Sequence, residues 1–305
     1  MASPSQYSDH LFIEESHNNS WSNMYRYVPQ ASRVLDVGCS TGNFGAALEA
    51  LKECSVVGID LSEADVAEAA TKITEAHVLD ITSDGVPERL GTFDVVVFAD
   101  VLEHLMDPRA VLRTVRSMLK PGGRVVYSIP NMAHLSVRMD LLEGRFPYTE
   151  LGLLDRTHMH FYDRLEVHDI FASAGFAITD SNPVLIGYPE AWITERFVGM
   201  GLTPAPPLFE MLRHTEANIY QYVGAASPAD SVPQVPPVSM EFTTAPDELL
   251  AHANRVLEDN QRLDAELRRL AGELSSLQLR VAAIRRNPIR GIANEFRRRR
   301  ARARR

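Results

Sequence analysis

The sequence predicts an α/β fold, a doubly wound and mostly parallel seven-stranded sheet followed by a C-terminal coiled-coil helix. Three observations carry this. From Arg33 onward, short continuous apolar runs alternate with helical segments, the rhythm of parallel strands covered on both faces. A turn of small residues, Gly38-Cys39-Ser40-Thr41-Gly42, stands between the first apolar run and the first helix of that series. Beyond residue 246 the apolar period changes to seven.

The elements follow in order. Residues 1–30 are aromatic and polar, and Trp21, Tyr25 and Tyr27 fit a capping helix over a pocket. Residues 31–221 form the main domain. Its strands are Val34–Val37, Ser55–Ile59, Ala76–Leu79, Phe93–Ala99 and Arg124–Ile129. Its helices are Asn43–Lys52, Ser62–Lys72 and Pro108–Leu119, with Ser62 and Asp107 as N-caps and Pro108 at a first helical position. Pro121-Gly122-Gly123 reads as the stop and turn before the fifth strand. An insert occupies about residues 131–165, and two antiparallel strands close the domain, one near Ala177–Ser181. Trp192 to Leu212 reads as a lid helix or arm. Residues 222–246, rich in Pro, Ala and Ser, read as a linker.

Composition narrows the class. A chain of 305 residues holds one sizeable α/β domain plus an appendage. No apolar run approaches the ~20 residues needed to span a bilayer, and the first residues lack the pattern of a signal peptide. Cys39 and Cys54 fit no metal spacing and read as reduced core residues of a cytoplasmic protein. The net charge of −9 is unevenly spread: ten arginines face one acid, Glu295, between Arg285 and Arg305, so the body is strongly acidic. That acidity argues against nucleic acid as the partner of a catalytic face.

Ligands of such sheets bind at the carboxyl ends of the strands. Asp36 to Gly42, Asp60, Asp80, Asp100 and Asn131 therefore share one rim. Glycine allows the turn backbone angles closed to other residues, and the helix behind it presents free N–H groups. Asp60 ends the second strand, where a carboxylate suits a ribose diol. A dinucleotide fingerprint would need glycine where Ser40 and Asn43 stand.

The segment Leu35-Asp36-Val37-Gly38-Cys39-Ser40-Thr41-Gly42 resembles the first motif of class I S-adenosylmethionine-dependent methyltransferases, with Ser40 replacing the middle glycine. Val78-Leu79-Asp80-Ile81, Phe93 to Leu105, and Leu119-Lys120-Pro121-Gly122-Gly123 resemble later motifs of that family in the same order. The resemblance implies a Rossmann-like methyltransferase with S-adenosylmethionine held by Asp36, Gly38, Ser40, Gly42, Asp60, Leu61, Asp80, Ile81 and Asp100. Asp80 has a second reading, as the cap of the next helix. Asp100, Glu103 and His104 put two carboxylates and an imidazole within one turn. Some relatives hold a divalent ion such as Mg²⁺ on such a cluster, whereas others use it as loop structure. The reading taken here is metal-free.

The insert carries Asn131, His134, Asp155, Arg156, His158, His160 and Tyr162. In an extended chain His158, His160 and Tyr162 would share one face. Its wording, Leu154-Asp155-x-Thr157-His158-x-x-Phe161, is similar to that of methyltransferases associated with surface glycans and glycosylated metabolites, and less close to the ubiquinone type. The resemblance implies O-methylation of a sugar hydroxyl, with His158 and then His134 as the base and Asn131, Arg156, His160 and Tyr162 binding the acceptor. Alternatively, His158 orders its loop through Asp155 or a carbonyl, His160 packs on Tyr162, and Arg156 pairs with Asp155. Other readings of the chain are a small-molecule or quinone O-methyltransferase with a metal at Asp100, Glu103 and His104, and a non-catalytic scaffold. A nucleic-acid methyltransferase lacks its signatures: Ala99-Asp100-Val101-Leu102 stands where an Asn/Asp-Pro-Pro-Tyr/Phe motif would, and there is no Pro-Cys nucleophile.

Residues 247–285 carry two heptad series. Ala253, Asn260, Leu267, Leu274 and Val281 form one, and Val256, Leu263, Leu270, Leu277 and Ile284 the other. They predict a parallel homodimer whose register Asn260 fixes. The Arg-rich tail, 286–305, then reads as a tether to an anionic membrane surface at the inner face of the membrane, with nucleic acid the alternative.

Overall fold

The computed structural model describes residues 18–83, 90–214 and 216–230. The coiled coil, the Arg-rich tail and all of the linker beyond residue 230 lie outside the described residues.

Five strands form the parallel part of one sheet: β1 (Arg33–Val37), β2 (Ser55–Asp60), β3 (Glu75–Val78), β4 (Phe93–Ala99) and β5 (Leu119–Pro130). Three more complete it: β6 (Phe176–Ser181), the two-residue β7 (Val184–Leu185) and β8 (Ile219–Pro228). The order is β3-β2-β1-β4-β5-β8-β6, with β8 antiparallel to both neighbours and β7 paired to its side. The expected architecture is therefore present, with one short strand added. The order in which successive strands are added across the sheet reverses between β1 and β4, the switch point at which such sheets open a crevice.

The apolar runs behave as parallel strands should. In β1, Leu35 and Val37 face a core layer with Val96, Phe98 and the helices α4 (Pro108–Met118) and α6 (Arg164–Ser173). Val34 faces the other layer, with Val95, Val97, α1 (Ser20–Tyr27) and α2 (Asn43–Lys52). Alternation puts successive side chains on opposite faces, so a strand buried on both sides must be apolar throughout. Asp36 is the exception: it is buried within β1 at the site end of the sheet.

The helix starts follow their caps. Ser62 Oγ accepts from Asp65 N (3.3 Å) ahead of α3 (Glu63–Ala69), and Asp107 Oδ1 accepts from Ala110 N (2.9 Å) ahead of Pro108 in α4. Helix α3 stops short of Lys72, where the predicted helix ended.

Three expectations need correction. The linker does not begin at residue 222. Tyr222, Val223, Ala225 and Ala226 are buried in β8, between β5 and β6. Pro121-Gly122-Gly123 does not precede the fifth strand but lies inside β5, as an irregularity where its register to β4 shifts. The predicted lid is two helices, α7 (Glu190–Gly199) and α8 (Pro206–His214). With α5 (Leu135–Leu142) they share a small core of Leu135, Met139, Ile193 and Leu212.

Candidate functional site

A cavity of about 560 Å³ opens at the switch point, between the carboxyl ends of β1, β2 and β4. It lies within the roughly 300–1,000 Å³ range of small-ligand sites. Its floor is the turn after β1. Gly38, Ser40 and Gly42 all have left-handed backbones, with φ of +71°, +47° and +78°. Glycine is required at Gly38 for a second reason, since a Cβ there would meet Val101 Cγ2 at 2.7 Å. Ser40, the non-glycine among them, is held in this strained backbone conformation by Asp60, whose Oδ2 accepts from Ser40 N at 2.8 Å. Asp60 Oδ1 accepts from Ser62 N at 2.9 Å, so one carboxylate ties both loops to the rim. Each oxygen keeps a second lone pair.

Charge selects the ligand class. Asp36, Asp60, Asp65, Asp80 and Asp100 line the cavity, and no lysine or arginine is among the lining residues. Such a wall repels a pyrophosphate and attracts a cation. Burial, aided by the charge of Asp60, pushes the Asp36 carboxyl up to about 7. Asp80 sits at the lip, where Thr82 donates to Oδ1 through N (2.8 Å) and Oγ1 (2.6 Å), bonds that hold its carboxyl below the usual range. It braces its own turn rather than capping a helix within the described residues. Leu61, Ile81, Trp21 and Phe44 supply apolar walls, and the rings of Trp21 and Phe44 stand 5.6 Å apart. The capping role expected of the N-terminal helix thus falls to Trp21, while Tyr25 is buried in the core. Asp100 holds a left-handed backbone, φ +55°, clamped by Ser128 Oγ (2.8 Å) and Gln221 Nε2 (2.9 Å) on Oδ1.

Beyond Asp100 a 3₁₀ turn, Leu102–His104, receives the loop 155–162. Met159 N and His160 N both donate to Glu103 O, at 2.9 and 3.1 Å. Asp155 Oδ1 accepts from Thr157 N and Oγ1, at 2.8 and 2.6 Å, and shapes that loop. The result brings Glu103, His104 and His158 together. The His104 and His158 rings meet edge-on at 4.8 Å, and His158 Nε2 lies 3.9 Å from Glu103 Oε1. Glu103 is 1 % exposed, and neither carboxyl oxygen has a hydrogen-bond partner. Burial, with the nearby charge of Asp100, holds its carboxyl well above the usual range. Burial also lowers the His158 imidazole, helped by His104.

The structure separates the predicted acceptor residues from the cavity. His134 is buried and is the N-cap of α5. Its Nε2 meets Ile186 O at 2.9 Å, its Nδ1 meets Ser136 Oγ at 2.8 Å, and burial lowers it to about 4. It is a structural pin and not a base. Asn131 is likewise fully buried, donating to Ile219 O at 2.7 Å and Glu216 O at 3.2 Å. Arg156 is exposed and pairs with Glu150 at 3.0 Å, not with Asp155. The segment holding His158, His160 and Tyr162 is irregular rather than a continuous strand, with Tyr162 bridged to Asn131, and His158 does not share the contact that His160 makes with Tyr162. His160 packs on Tyr162 at 5.8 Å and meets Met106 O at 3.3 Å. His158 orders its loop through Leu153 O (3.2 Å) and does not line the cavity. The imidazole that does is His104. Asp100 is not brought into the Glu103–His104 cluster, which His158 joins instead.

Sequence reasoning missed Leu105, Met106 and Met159 in the cavity wall, and missed Gln221 and Ser128 as the clamp on Asp100. Met106 carried a signal, being apolar in a loop, and it is 76 % exposed.

A family described as a methyltransferase domain matches residues 21–181. Among characterised relatives, the ubiquinone biosynthesis O-methyltransferase of Pseudomonas syringae pv. tomato is 40 % identical over 104 residues, 32 % of this chain and 44 % of that protein. The chain thus spans less than half of that relative's length. The enzyme of the same name from Xanthomonas axonopodis pv. citri is 27 % identical over 173 residues, 52 % of this chain and 69 % of that protein. A solved S-adenosylmethionine-dependent methyltransferase from Mesorhizobium loti is similar over 70 % of this chain and 98 % of its own, at 20 % identity and a TM-score of 0.46. Because the family match takes in every strand from β1 to β5 and the whole acidic cavity, this chain belongs to the methyltransferase domain family, whose cofactor is S-adenosylmethionine.

Proposed function

We propose that the protein is an O-methyltransferase that transfers the methyl group of S-adenosylmethionine to a hydroxyl of a small ring compound of the quinone-precursor kind. The observation that carries the cofactor half is the acidic cavity, lined by five aspartates and no lysine or arginine. When bound there, S-adenosylmethionine supplies an electrophilic methyl on a sulfonium centre. Asp60 would hold the ribose hydroxyls, and the Gly38–Gly42 backbone would face the amino-acid part. Asp36 would face its ammonium, while Asp80, Leu61 and Ile81 would flank the base. The protein's task is alignment and exclusion of water. The acceptor hydroxyl loses its proton toward the cluster of Glu103, His104 and His158, of which His104 reaches the cavity.

The loop wording favoured a sugar acceptor. The curated relatives are named for ubiquinone biosynthesis instead, and they support the small-molecule reading. The surroundings also support it: Phe161, Phe146 and Tyr148 form an edge-to-face series beside His158, with centroids 5.3–6.4 Å apart. Labelled S-adenosylmethionine offered with a panel of hydroxylated aromatic compounds and simple glycosides tests the reading. Methylation of the ring hydroxyls is expected, and transfer to glycosides alone would sink it.

From the heptads and the arginines alone, the chain pairs through residues 247–285 and its tail binds an anionic membrane surface. Among the described residues no helix is long and apolar enough to cross a membrane.

A further inference from the structure

The cofactor reading leaves one wall of the cavity without a task. The Gly38–Gly42 turn follows β1, Asp60 and Leu61 lie at the end of β2, and Asp80 and Ile81 follow β3. The opposite wall comes from the loop after β4 and from the insert, which bring in His104, Met106, Thr157 and Met159. We propose that Met106 and Met159 determine acceptor specificity: their thioether ends form an adaptable apolar surface for a flat aromatic ring whose hydroxyl meets His104.

Three observations carry the assignment. The first is exposure. Met106 is 76 % exposed and Met159 50 %, yet both line the cavity, whereas Met24, Met118 and Met139 are buried in the core. A long apolar side chain at a cavity mouth adds little to the core, and it leaves water only when a ligand covers it. The second is the frame behind the two side chains. Met159 N donates to Glu103 O at 2.9 Å, His160 Nε2 meets Met106 O at 3.3 Å, and His104 Nδ1 meets Thr157 O at 3.2 Å. These bonds tie the two loops together, so the backbone is held at both methionines while their side-chain ends face open space. The third is placement. Met106 stands two residues after His104, and Met159 two residues after the Thr157 carbonyl that His104 meets. The imidazole that reaches the cavity therefore joins the two loops that carry the thioethers.

The chemistry of the wall selects the ligand. Thioether sulfur is polarizable and makes favourable contacts with aromatic rings, each worth roughly two- to ten-fold in affinity. A glycoside has no ring π-system, and its hydroxyls find in a thioether only a weak acceptor. Met is also unbranched, with three rotatable bonds, so one surface can fit rings of different substitution. The wall thus demands aromatic character and tolerates substituents. Among the described residues that line the cavity there is no lysine or arginine, so an acceptor anion has no partner there.

The inference deepens the methyl-transfer reading and rests on it for the role of His104, so binding and transfer are measured separately. Full-length protein with isotope-labelled methionine methyl groups is followed by NMR, and the Met106 and Met159 signals are assigned from Met106→Leu and Met159→Leu. Met211, 49 % exposed on α8, is the internal control. Catechol added to the S-adenosylhomocysteine complex should shift the Met106 and Met159 signals saturably and leave Met211 in place. Methyl glucoside should shift neither. In turnover with catechol each Leu variant, which keeps the volume, should raise KM roughly two- to ten-fold with kcat held within about two-fold. Met106→Gln and Met159→Gln put a polar amide on the same wall and should raise KM further than their Leu counterparts. Unchanged S-adenosylmethionine affinity shows that each variant is folded. Methionine signals unmoved at saturating catechol, signals moved equally by methyl glucoside, or a KM indifferent to the Gln variants would overturn the proposal. Saturable shifts without methyl transfer to catechol would support the ring surface and count against the methyl-transfer reading. Transfer with unmoved signals would keep that reading and remove the two methionines from it.

Discussion

Replacing Asp36 by asparagine should strengthen the apo fold at neutral pH and weaken the cofactor complex, two effects of opposite sign from one charge. Asp36 is 2 % exposed, between Leu35 and Val37 in β1, and its carboxyl rises from 3.8 to about 7. The folded state therefore binds a proton that the unfolded chain has already lost. Stability is greatest below the unfolded value and falls as pH climbs through the folded one. A rise of about three units at about 1.4 kcal/mol each gives a penalty on the order of 4 kcal/mol above pH 7, an upper figure for a site open to a cavity. Asp36→Asn removes the charge and keeps the shape. Urea unfolding of the cofactor-free proteins at pH 4, 6 and 8 should show the variant level with the wild type at pH 4 and more stable by several kcal/mol at pH 8. Calorimetry at pH 8 should show the reverse for S-adenosylmethionine, with a loss of roughly 1.5–3 kcal/mol for a bond to a charged group. A stability difference that stays flat with pH would refute the buried-charge argument. An unchanged affinity would show that Asp36 faces no cation.

Further outcomes follow from other residues. Gly38→Ala should destabilise by roughly 1–2 kcal/mol for a left-handed alanine and by roughly 1–3 kcal/mol more for crowding Val101, seen as a lower urea midpoint. His134 stays neutral in the fold down to about 4, against 6.5 in the free side chain, so this one group should contribute a loss of about 3 kcal/mol as pH falls from 6.5 to 4. His134→Ala should be less stable at pH 8 but lack that slope. Because the Asp36 slope runs the other way over the same range, only the difference between variant and wild type is diagnostic. His104→Ala should cut turnover roughly 10²–10⁴-fold with cofactor affinity held within a few-fold, and a change in affinity alone would remove His104 from the chemistry. A chain ended at residue 230 should bind cofactor as a monomer by light scattering, against a dimer for the full chain. A monomeric full chain would refute the heptad reading.

The sheet and its rim were legible because backbone requirements write them into the sequence. Gly38, Gly42, Asp60 and the capping residues stand where a turn, a helix start or a strand end admits few alternatives. The acceptor end was not legible, for a physical reason. Asn131 and His134 look like ligand-binding residues from their chemistry, but polar side chains are equally useful for satisfying buried carbonyls, here those of Ile219 and Ile186. Sequence spacing cannot tell the two uses apart. The meeting of His158 with Glu103 and His104 depends on how a loop folds back over a 3₁₀ turn, which no local period encodes. Strand β8 was misread because Tyr222 to Pro228 has the Pro, Ala and Ser content of a spacer. Burial between two strands, and not composition, makes it part of the sheet.

The place of β8 also fixes when the protein can work during its own synthesis. The strand is made after β6 yet sits between β5 and β6, and its Gln221 completes the clamp on Asp100. A nascent chain that has released everything up to α8 therefore still lacks the slot-filling strand, and β5 presents an unpaired edge to its surroundings. The rim cannot close until the last described strand leaves the ribosome. Prematurely ended chains are thus products without a finished cofactor site and with an aggregation-prone edge, which marks them for chaperones or proteases rather than for partial activity.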